Sequence, residues 1–217
     1  MTESLTFQRA RKPEEISIRR EAILAAAAEL FDEAGPEGTG LNAIAARAGF
    51  TKSNVYRYFE SREAVLLELF RIDFAGLVEE LEANLARVKR GDIAAVARIC
   101  AAAFVKRPRA CRLLAILAGV LERNISEEAV IALKTEMLGL SSRIAIALHG
   151  PLPDLSVDDC GWAGSVVGTF VSGLWPAANP SPMVAAVLAR PEFALMKPTV
   201  GRDLERMIFV TLRGLSN

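Results

Sequence analysis

Histidine and cysteine are scarce in this chain, and their scarcity restricts the chemistry that the protein can perform. The 217 residues include one histidine, His149, and three cysteines, Cys100, Cys111 and Cys160. One histidine leaves little room for a histidine-based metal centre or a catalytic triad. Three cysteines are odd in number and match no zinc-binding spacing, which argues against a disulfide framework or a zinc module. We therefore expect no metal and no cofactor, and we expect the cysteines to be structural.

An excess of charge of one sign is also missing. The chain has 26 Lys and Arg residues against 26 Asp and Glu residues, so its overall charge does not indicate a nucleic-acid partner. The distribution is nevertheless uneven. The N-terminal arm, Arg9–Arg20, is mainly basic, and residues 42–59 include three basic side chains and no acidic one. The acids gather between these two stretches, at Glu29, Asp32, Glu33 and Glu37.

Long hydrophobic runs suited to a secretory signal or a membrane span are lacking as well. The first 20 residues are polar and charged, without the apolar segment of a signal peptide. The longest uncharged apolar stretch, Cys160–Ala178, contains Pro176, at which we expect its helix to end. A helix needs about 20 apolar residues to cross a bilayer. The sequence therefore predicts a soluble, cytoplasmic protein.

The composition that remains favours helices throughout. Alanine and leucine dominate, runs of β-branched residues are short, and no hairpin turn lies between alternating apolar residues. We predict an all-α protein with helices at about 14–34, 41–48, 51–59, 61–90, 92–106, 109–124, 126–149, 156–175, 183–189 and 201–215. We expect two domains, one at 1–60 with the N-terminal arm and three helices, and a helical-bundle domain at 61–217. The long helix that begins at Ser61 would join them.

Residues 41–59 have the pattern of a helix-turn-helix. The small side chain of Ala45 lets the second helix approach closely, and Gly49 can take the positive φ of a sharp turn. Ile44, Val55 and Phe59 supply the apolar inner face. Because each residue turns a helix by about 100°, Ser53 and Arg57 lie opposite Val55. The outer face also carries Lys52, Asn54 and Tyr56 but no carboxylate, which suits phosphates and base edges.

Three segments, 23–31, 44–59 and 61–66, closely resemble the DNA-binding domain of the TetR family of bacterial transcriptional regulators. The resemblance implies a homodimer that binds a palindromic operator in double-stranded DNA. It also implies an all-helical C-terminal domain that binds a small effector, usually with relief of repression. The positions that match the family's DNA contacts are Asn42, Thr51, Lys52, Ser53, Tyr56, Arg57 and Tyr58.

Two positions depart from the family pattern. Thr39-Gly40 stands where the family often has two threonines, and Arg62 replaces a frequent lysine while keeping its charge. We include Arg62 among the DNA-binding residues, together with Asn54 from the outer face. The basic arm has two open interpretations: it enters the minor groove, as arms of other helix-turn-helix proteins do, or it is a solvated end.

Two C-terminal helices are candidates for the dimer interface. Small residues, among them Gly164 and Gly168, form one face of the helix at 156–175, flanked by apolar side chains. The last helix has an apolar stripe of its own. The predicted interface residues are Trp162, Val166, Phe170, Leu204, Ile208 and Leu212. The alternative is that both helices belong to the core of one protomer.

The effector cannot be identified from the sequence, although we expect a mostly hydrophobic or aromatic molecule. Apolar side chains between about Asp92 and Trp175 are candidates to line its pocket. An enzyme is a competing hypothesis, but no carboxylate pair, nucleophile–base set or metal-ligand cluster occurs at useful spacing. A third hypothesis is an interaction adaptor that kept the fold and lost DNA binding.

Overall fold

A computed structural model describes residues 13–123 and 125–216, and those residues form helices, turns and loops without a strand. The all-α prediction is therefore confirmed. The first 12 residues, which include Arg9, Arg11 and Lys12 of the predicted arm, lie outside the described residues. The chain divides into two compact units, with the boundary between Val65 and Leu66. Assigning DNA binding to the first unit and effector binding to the second stays a prediction.

The first unit contains three helices and the start of a fourth. The helices of the chain are α1 (Pro13–Gly38), α2 (Leu41–Arg47), α3 (Lys52–Val55), α4 (Arg62–Leu85), α5 (Ile93–Val105), α6 (Pro108–Ile116), α7 (Glu127–His149), α8 (Val157–Ala178), α9 (Pro182–Leu188) and α10 (Val200–Leu215). Two short 3-10 helices, Leu121–Arg123 and Pro191–Met196, follow α6 and α9.

Helix α1 is broken near its end, where the sequence predicts a stop. Gly35 has φ 67° and ψ −167°, a conformation that interrupts the helix and that glycine adopts without a Cβ penalty. The buried Thr39 stabilises this break, because its hydroxyl donates a hydrogen bond of 2.7 Å to the Gly35 carbonyl. A short helical turn after Gly35 extends α1 to Gly38.

Several helix starts agree with the sequence. The hydroxyl of Ser61 accepts a hydrogen bond of 3.0 Å from the backbone N–H of Ala64, at the start of α4. The hydroxyl of Ser156 accepts one of 3.0 Å from the backbone N–H of Asp159 and donates one of 2.6 Å to the Asp159 carboxylate. These side chains satisfy N–H groups that a helix leaves without partners at its N-terminus.

Three helix ends differ from prediction. Helix α4 ends at Leu85 rather than near 90, and the predicted helix at 109–124 is divided into α6 and a 3-10 helix by a turn that contains Gly119. Helix α8 continues past Pro176 to Ala178. A proline removes one N–H from the ladder, and here only two helical residues follow it. Asn179 closes the last turn, since its backbone N–H and its side-chain amide donate to the Trp175 carbonyl at 3.0 and 2.9 Å.

The second unit is a bundle in which α8 packs against α6, α7 and α10, and α10 also packs against α5. Leu204, Ile208 and Leu212 of α10 are no more than 2% exposed. They therefore belong to the core of the protomer, which favours the alternative stated for α10, and the location of a dimer interface stays a prediction. An apolar stripe on a helix has the same appearance in a sequence whether it faces the same chain or a second one.

The small residues of α8 also contribute to helix packing within the protomer. A Cβ atom built on Gly164 would lie 3.3 Å from Cγ2 of Ile144 on α7, and one on Gly161 would lie 3.6 Å from Cβ of Ala145. The glycines at these positions let α7 and α8 approach closely.

No helix in the described parts of the chain has the length and apolar character needed to span a membrane.

All three cysteines are buried within the second unit. Burial raises the pKa of the Cys100 and Cys111 thiols to about 12, and the Cys111 thiol donates a hydrogen bond to the Phe104 carbonyl. Nδ1 of His149, in the last turn of α7, lies 2.8 Å from the Leu155 carbonyl. Since a carbonyl only accepts, this nitrogen carries the proton, and the bond fixes the loop that follows α7.

Candidate nucleic-acid interface

The turn between α2 and α3 has the geometry that its sequence predicts. Gly49 adopts φ 72°, and the backbone N–H of Phe50 donates a hydrogen bond of 2.8 Å to the Ala45 carbonyl. Ile44 and Val55 are fully buried, and Ala45 is nearly so. The inner faces of the two helices therefore pack in the core of the first unit, and this packing fixes the outward direction of the opposite side of α3.

Helix α3 is shorter than predicted. The regular helix covers Lys52–Val55, and the chain then continues in turns through Tyr58. Bonds to the Val55 carbonyl, from the N–H groups of Tyr58 at 2.9 Å and Phe59 at 3.0 Å, hold those turns. Thr51 caps the helix, because its hydroxyl oxygen accepts a hydrogen bond of 3.3 Å from the Asn54 N–H.

Most of the predicted DNA-binding side chains share an exposed surface of the first unit. Asn42 at the start of α2 is exposed, and Asn54 is half-buried. The remaining exposed members come from α3 and its flanks: Thr51, Lys52, Ser53, Tyr56 and Arg57. The Lys52 ammonium lies 5.8 Å from the centroid of the Tyr56 ring, close enough for a cation–π interaction. The surface thus presents two cations, hydroxyls and amides, with the exposed carboxylate of Glu60 at its edge.

Tyr58 is placed differently from the other predicted contacts. Its hydroxyl oxygen is shielded from solvent and has no hydrogen-bond partner in the described part of the chain. The phenol therefore points into the protomer rather than outward. Even on a continuous helix, Tyr58 would lie only about 60° from the buried Val55, so its inward direction agrees with helical period.

Arg62 is also engaged within the protomer, so its placement does not support the predicted DNA contact. Its guanidinium donates two hydrogen bonds to one Glu63 oxygen, at 3.1 and 2.7 Å, and a third of 3.4 Å to the Pro36 carbonyl. Glu63 is only 8% exposed. The interaction connects the first residues of α4 with the segment after the break in α1, which gives Arg62 a structural role.

Two further interactions in this unit are absent from the sequence-based predictions. Arg47 on α2 pairs with Glu33 and Glu29 on α1, at 2.8 and 3.2 Å, and these bonds raise the pKa of its guanidinium. The Arg20 guanidinium lies 5.2 Å from the ring centroid of Phe59. The spacing of Glu29 and Glu33 by four residues places them on one face of α1, which is the signal that the sequence offers.

The second unit contains a cavity of about 420 Å³, within the range of small-molecule sites. Its wall is mostly apolar and comes from α4, α5, α6, α7, α8 and α10. Gly164 and Gly168 of α8 are part of the wall, together with Ile208 and Leu212 of α10. Residues predicted for an interface between protomers therefore line an internal site instead.

Comparison with known families identifies both units. The profile described as bacterial regulatory proteins, tetR family, matches residues 23–69. The profile described as tetracyclin repressor-like, C-terminal domain, matches residues 72–217. The chain belongs to the TetR family. Regulators of this family are DNA-binding transcription factors rather than enzymes, which answers the enzyme hypothesis.

Similar proteins from the curated set match the N-terminal part of this TetR-family regulator. The HTH-type transcriptional regulator RutR of Escherichia coli (strain K12) is 35% identical over 71 residues, which are 33% of this chain and 34% of RutR. An uncharacterised HTH-type transcriptional regulator of Mycobacterium tuberculosis (strain H37Rv) is 38% identical over 66 residues, 30% of this chain and 33% of that protein. The matched region thus spans about a third of each relative.

Solved structures share the fold over most of the chain. A transcriptional regulator from Rhodococcus sp. Rha1 has a TM-score of 0.56 and 21% identity, with 91% of this chain and 98% of that one covered. The TetR-family regulator PfmR from Thermus thermophilus has a TM-score of 0.54 and 22% identity, with 90% and 99% covered. SmeT, the repressor of the Stenotrophomonas maltophilia multidrug efflux pump SmeDEF, has a TM-score of 0.53 and 24% identity, with 90% of this chain and 89% of SmeT covered.

Proposed function

We propose that this TetR-family regulator is a homodimeric repressor that leaves a palindromic operator when a small molecule occupies its cavity. One observation carries the proposal: the exposed side of α3 and its flanks presents Lys52, Ser53, Tyr56 and Arg57 without a carboxylate among residues 42–59. The buried Val55 fixes the opposite side. SmeT, which shares the fold, is described as a repressor.

The proposed DNA contacts are the outward-facing side chains of this surface: Asn42, Thr51, Lys52, Ser53, Asn54, Tyr56 and Arg57. Arginine and lysine bind guanine edges and phosphates in the major groove, and asparagine binds adenine. In a dimer, two such surfaces would read half-sites about 34–36 Å apart, or a multiple of that distance. We omit Tyr58 because its hydroxyl is shielded from solvent, and Arg62 because its guanidinium is bonded within the protomer.

The proposed dimer interface lies on the exposed side of α8. Trp162 is 55% exposed, and Val166 and Phe170 are partly exposed farther along the helix. A solvent-exposed tryptophan is a typical anchor of a protein–protein interface. On α10, Phe209 is 39% exposed and takes the place of the buried Leu204, Ile208 and Leu212 in this proposal.

Helix α4 is the proposed route from effector to DNA. The boundary between the two units falls within it, and its residues Phe74 and Leu81 line the cavity. A ligand that repositions these side chains would move a helix whose first turn belongs to the DNA-binding unit. Differential binding of the ligand to two positions of α4 would then shift the protein toward the one that does not fit the operator.

A DNA-binding assay tests this function. Fluorescence anisotropy with DNA from upstream of the protein's own gene should detect tight binding that weakens steeply with salt, through counterion release. Arg57→Ala should weaken binding about tenfold or more, whereas Arg87→Ala, an exposed arginine in the other unit, should leave it unchanged. An absence of binding to such DNA at low salt would favour the adaptor hypothesis.

A further inference from the structure

We propose that the cavity of the second unit takes an apolar molecule with a single negative charge, and that Lys134 on α7 binds that charge. The inference deepens the proposed function, since it names the chemical class of the effector. It begins from the cavity wall, where Phe74, Leu81 and Phe104 are buried and uncharged. A wall of this kind selects an apolar body of the ligand by the area that it removes from water.

Lys134 gives the cavity its charge. Among the described residues that line it, Lys134 is the one ionisable cation, and none is a carboxylate. A cationic ligand would therefore meet a like charge on the wall, since the counter-charge of Lys134, Glu122, lies outside the lining residues. An anionic ligand would gain a charge-assisted hydrogen bond, which is about twice as strong as a bond between neutral groups.

The hydroxyl groups of the wall assist an anion less than Lys134 does. The Ser165 hydroxyl donates its proton to the Gly161 carbonyl at 3.2 Å, and the Thr169 hydroxyl donates to the Ser165 carbonyl at 3.0 Å. Their protons are therefore engaged with backbone carbonyls. The ammonium of Lys134, with three protons and a positive charge, is a stronger donor than these hydroxyls or that of Ser141, which also lines the wall.

Glu122 holds Lys134 in the structure and competes with the ligand. The Lys134 ammonium donates a hydrogen bond of 2.6 Å to Oε1 of Glu122, which belongs to the 3-10 helix Leu121–Arg123. The Lys134 side chain is 57% exposed and that of Glu122 is 19% exposed. The lysine can therefore turn toward a ligand more easily than the glutamate can follow. When the anion binds, Lys134 exchanges the Glu122 carboxylate for the charged group of the ligand. The segment between α6 and α7 then loses its bond to Lys134.

Calorimetry with three probes of equal length tests the inference on the purified full-length protein without DNA. Decanoate, 1-decanol and protonated decylamine share an apolar chain and differ in charge. Decanoate should bind about ten times more tightly than decanol, and decylamine more weakly than either. Lys134→Met should abolish the preference for decanoate over decanol, and Glu122→Gln should strengthen decanoate binding severalfold while leaving decanol within about twofold.

Lys106→Met is the matched control. Lys106 also pairs with a glutamate, Glu80, at 2.9 Å, but it is outside the cavity wall, so its loss should leave the decanoate preference intact. Lys134→Gln serves as a second variant, and thermal melting verifies that each protein is folded. Equal affinity for the three probes, binding of none of them, or a preference that survives Lys134→Met would overturn the inference. These results do not depend on the operator, so failure of DNA binding would contradict the proposed function alone.

Discussion

Arg47 on α2 forms a two-pronged ion pair with Glu33 on α1. Its Nη1 donates to Oε1 at 3.0 Å and its Nη2 donates to Oε2 at 2.8 Å. This parallel arrangement is the favourable geometry for an arginine–carboxylate pair. It orients α2 on α1 and neutralises one of the three basic side chains of residues 42–59. The positive charge of the proposed DNA surface therefore comes mainly from Lys52 and Arg57.

The ion pair predicts a pH-dependent contribution to stability. The hydrogen bond from Arg47 lowers the pKa of Glu33 below its ordinary value of 4.5. A lowered pKa stabilises the folded state above the ordinary value, and that stabilisation is lost as the pH falls from 4.5 through the lowered pKa. At pH 7, Glu33→Gln should melt below the wild type by a few degrees at most, since the pair is solvent-exposed.

Thermal melts at several pH values measure this effect. The difference between Glu33→Gln and the wild type should shrink steadily on acidification below 4.5. Glu37→Gln is the matched control, because it changes an exposed acid of α1 for which the described residues provide no ion pair. A Glu33→Gln difference that stays constant down to about pH 2 would contradict the assigned cause.

Arg62 and Glu63 predict a structural rather than a DNA-contact phenotype. Because Glu63 is nearly buried, Arg62→Met leaves its carboxylate without the hydrogen bonds from Arg62, and Glu63→Gln replaces the charged acceptor of Arg62 by a neutral one. Arg62→Met and Glu63→Gln should each destabilise the protein by about 1–2 kcal/mol. Urea denaturation measures the loss. Arg57→Ala, at an exposed residue of the same unit, should have no such effect, and unchanged stability in Arg62→Met would contradict the structural role of this arginine.

The glycines of α8 predict opposite responses to alanine. A Cβ atom on Gly168 would meet nothing within 4 Å, whereas one on Gly164 would lie 3.3 Å from Ile144. Gly168→Ala should raise stability by about 0.5–1 kcal/mol, because alanine favours the helix more than glycine does. Gly164→Ala should gain less or lose stability. Equal melting temperatures for the two variants would show that the contact with Ile144 is unimportant.

The exposed Trp162 and the buried Leu204 predict different effects, one on assembly and the other on folding. Trp162→Glu should convert dimer to monomer while retaining helix content, as measured by light scattering and circular dichroism. Ile131→Glu, at an exposed isoleucine of α7, is the control and should remain dimeric. Leu204→Ala should instead destabilise the fold, by about 2–5 kcal/mol, because it removes a fully buried side chain. A dimeric Trp162→Glu protein would place the interface elsewhere.

Local signals in the sequence predicted most of the helices. Gly49, Thr51 and Ser61 act through bonds within a few residues, and the structure has the turn and the caps where the sequence places them. The inner and outer faces of α3 also follow from helical period alone. Helix ends were less predictable, since Pro176 near the end of α8 removes too little hydrogen bonding to stop the helix.

Long-range partners could not be read from the sequence. Arg62 resembles any solvent-facing cation until the fold brings Pro36 and Glu63 to its guanidinium. Leu212 has the same apolar character whether it lines a dimer seam, a protomer core or a cavity, and the choice depends on which helices surround α10. The ion pairs of Arg47 likewise depend on the angle between two helices, which no local pattern specifies.

The burial of all three cysteines leaves the surface open to selective chemical labelling. Protonated thiols without solvent access react slowly with maleimides, so a cysteine introduced at the exposed Ser53 would take up a nitroxide or a fluorophore almost alone. Two such reporters in an assembled dimer would form a molecular ruler, and spectroscopy could then follow the separation of the DNA-facing surfaces as candidate effectors are added.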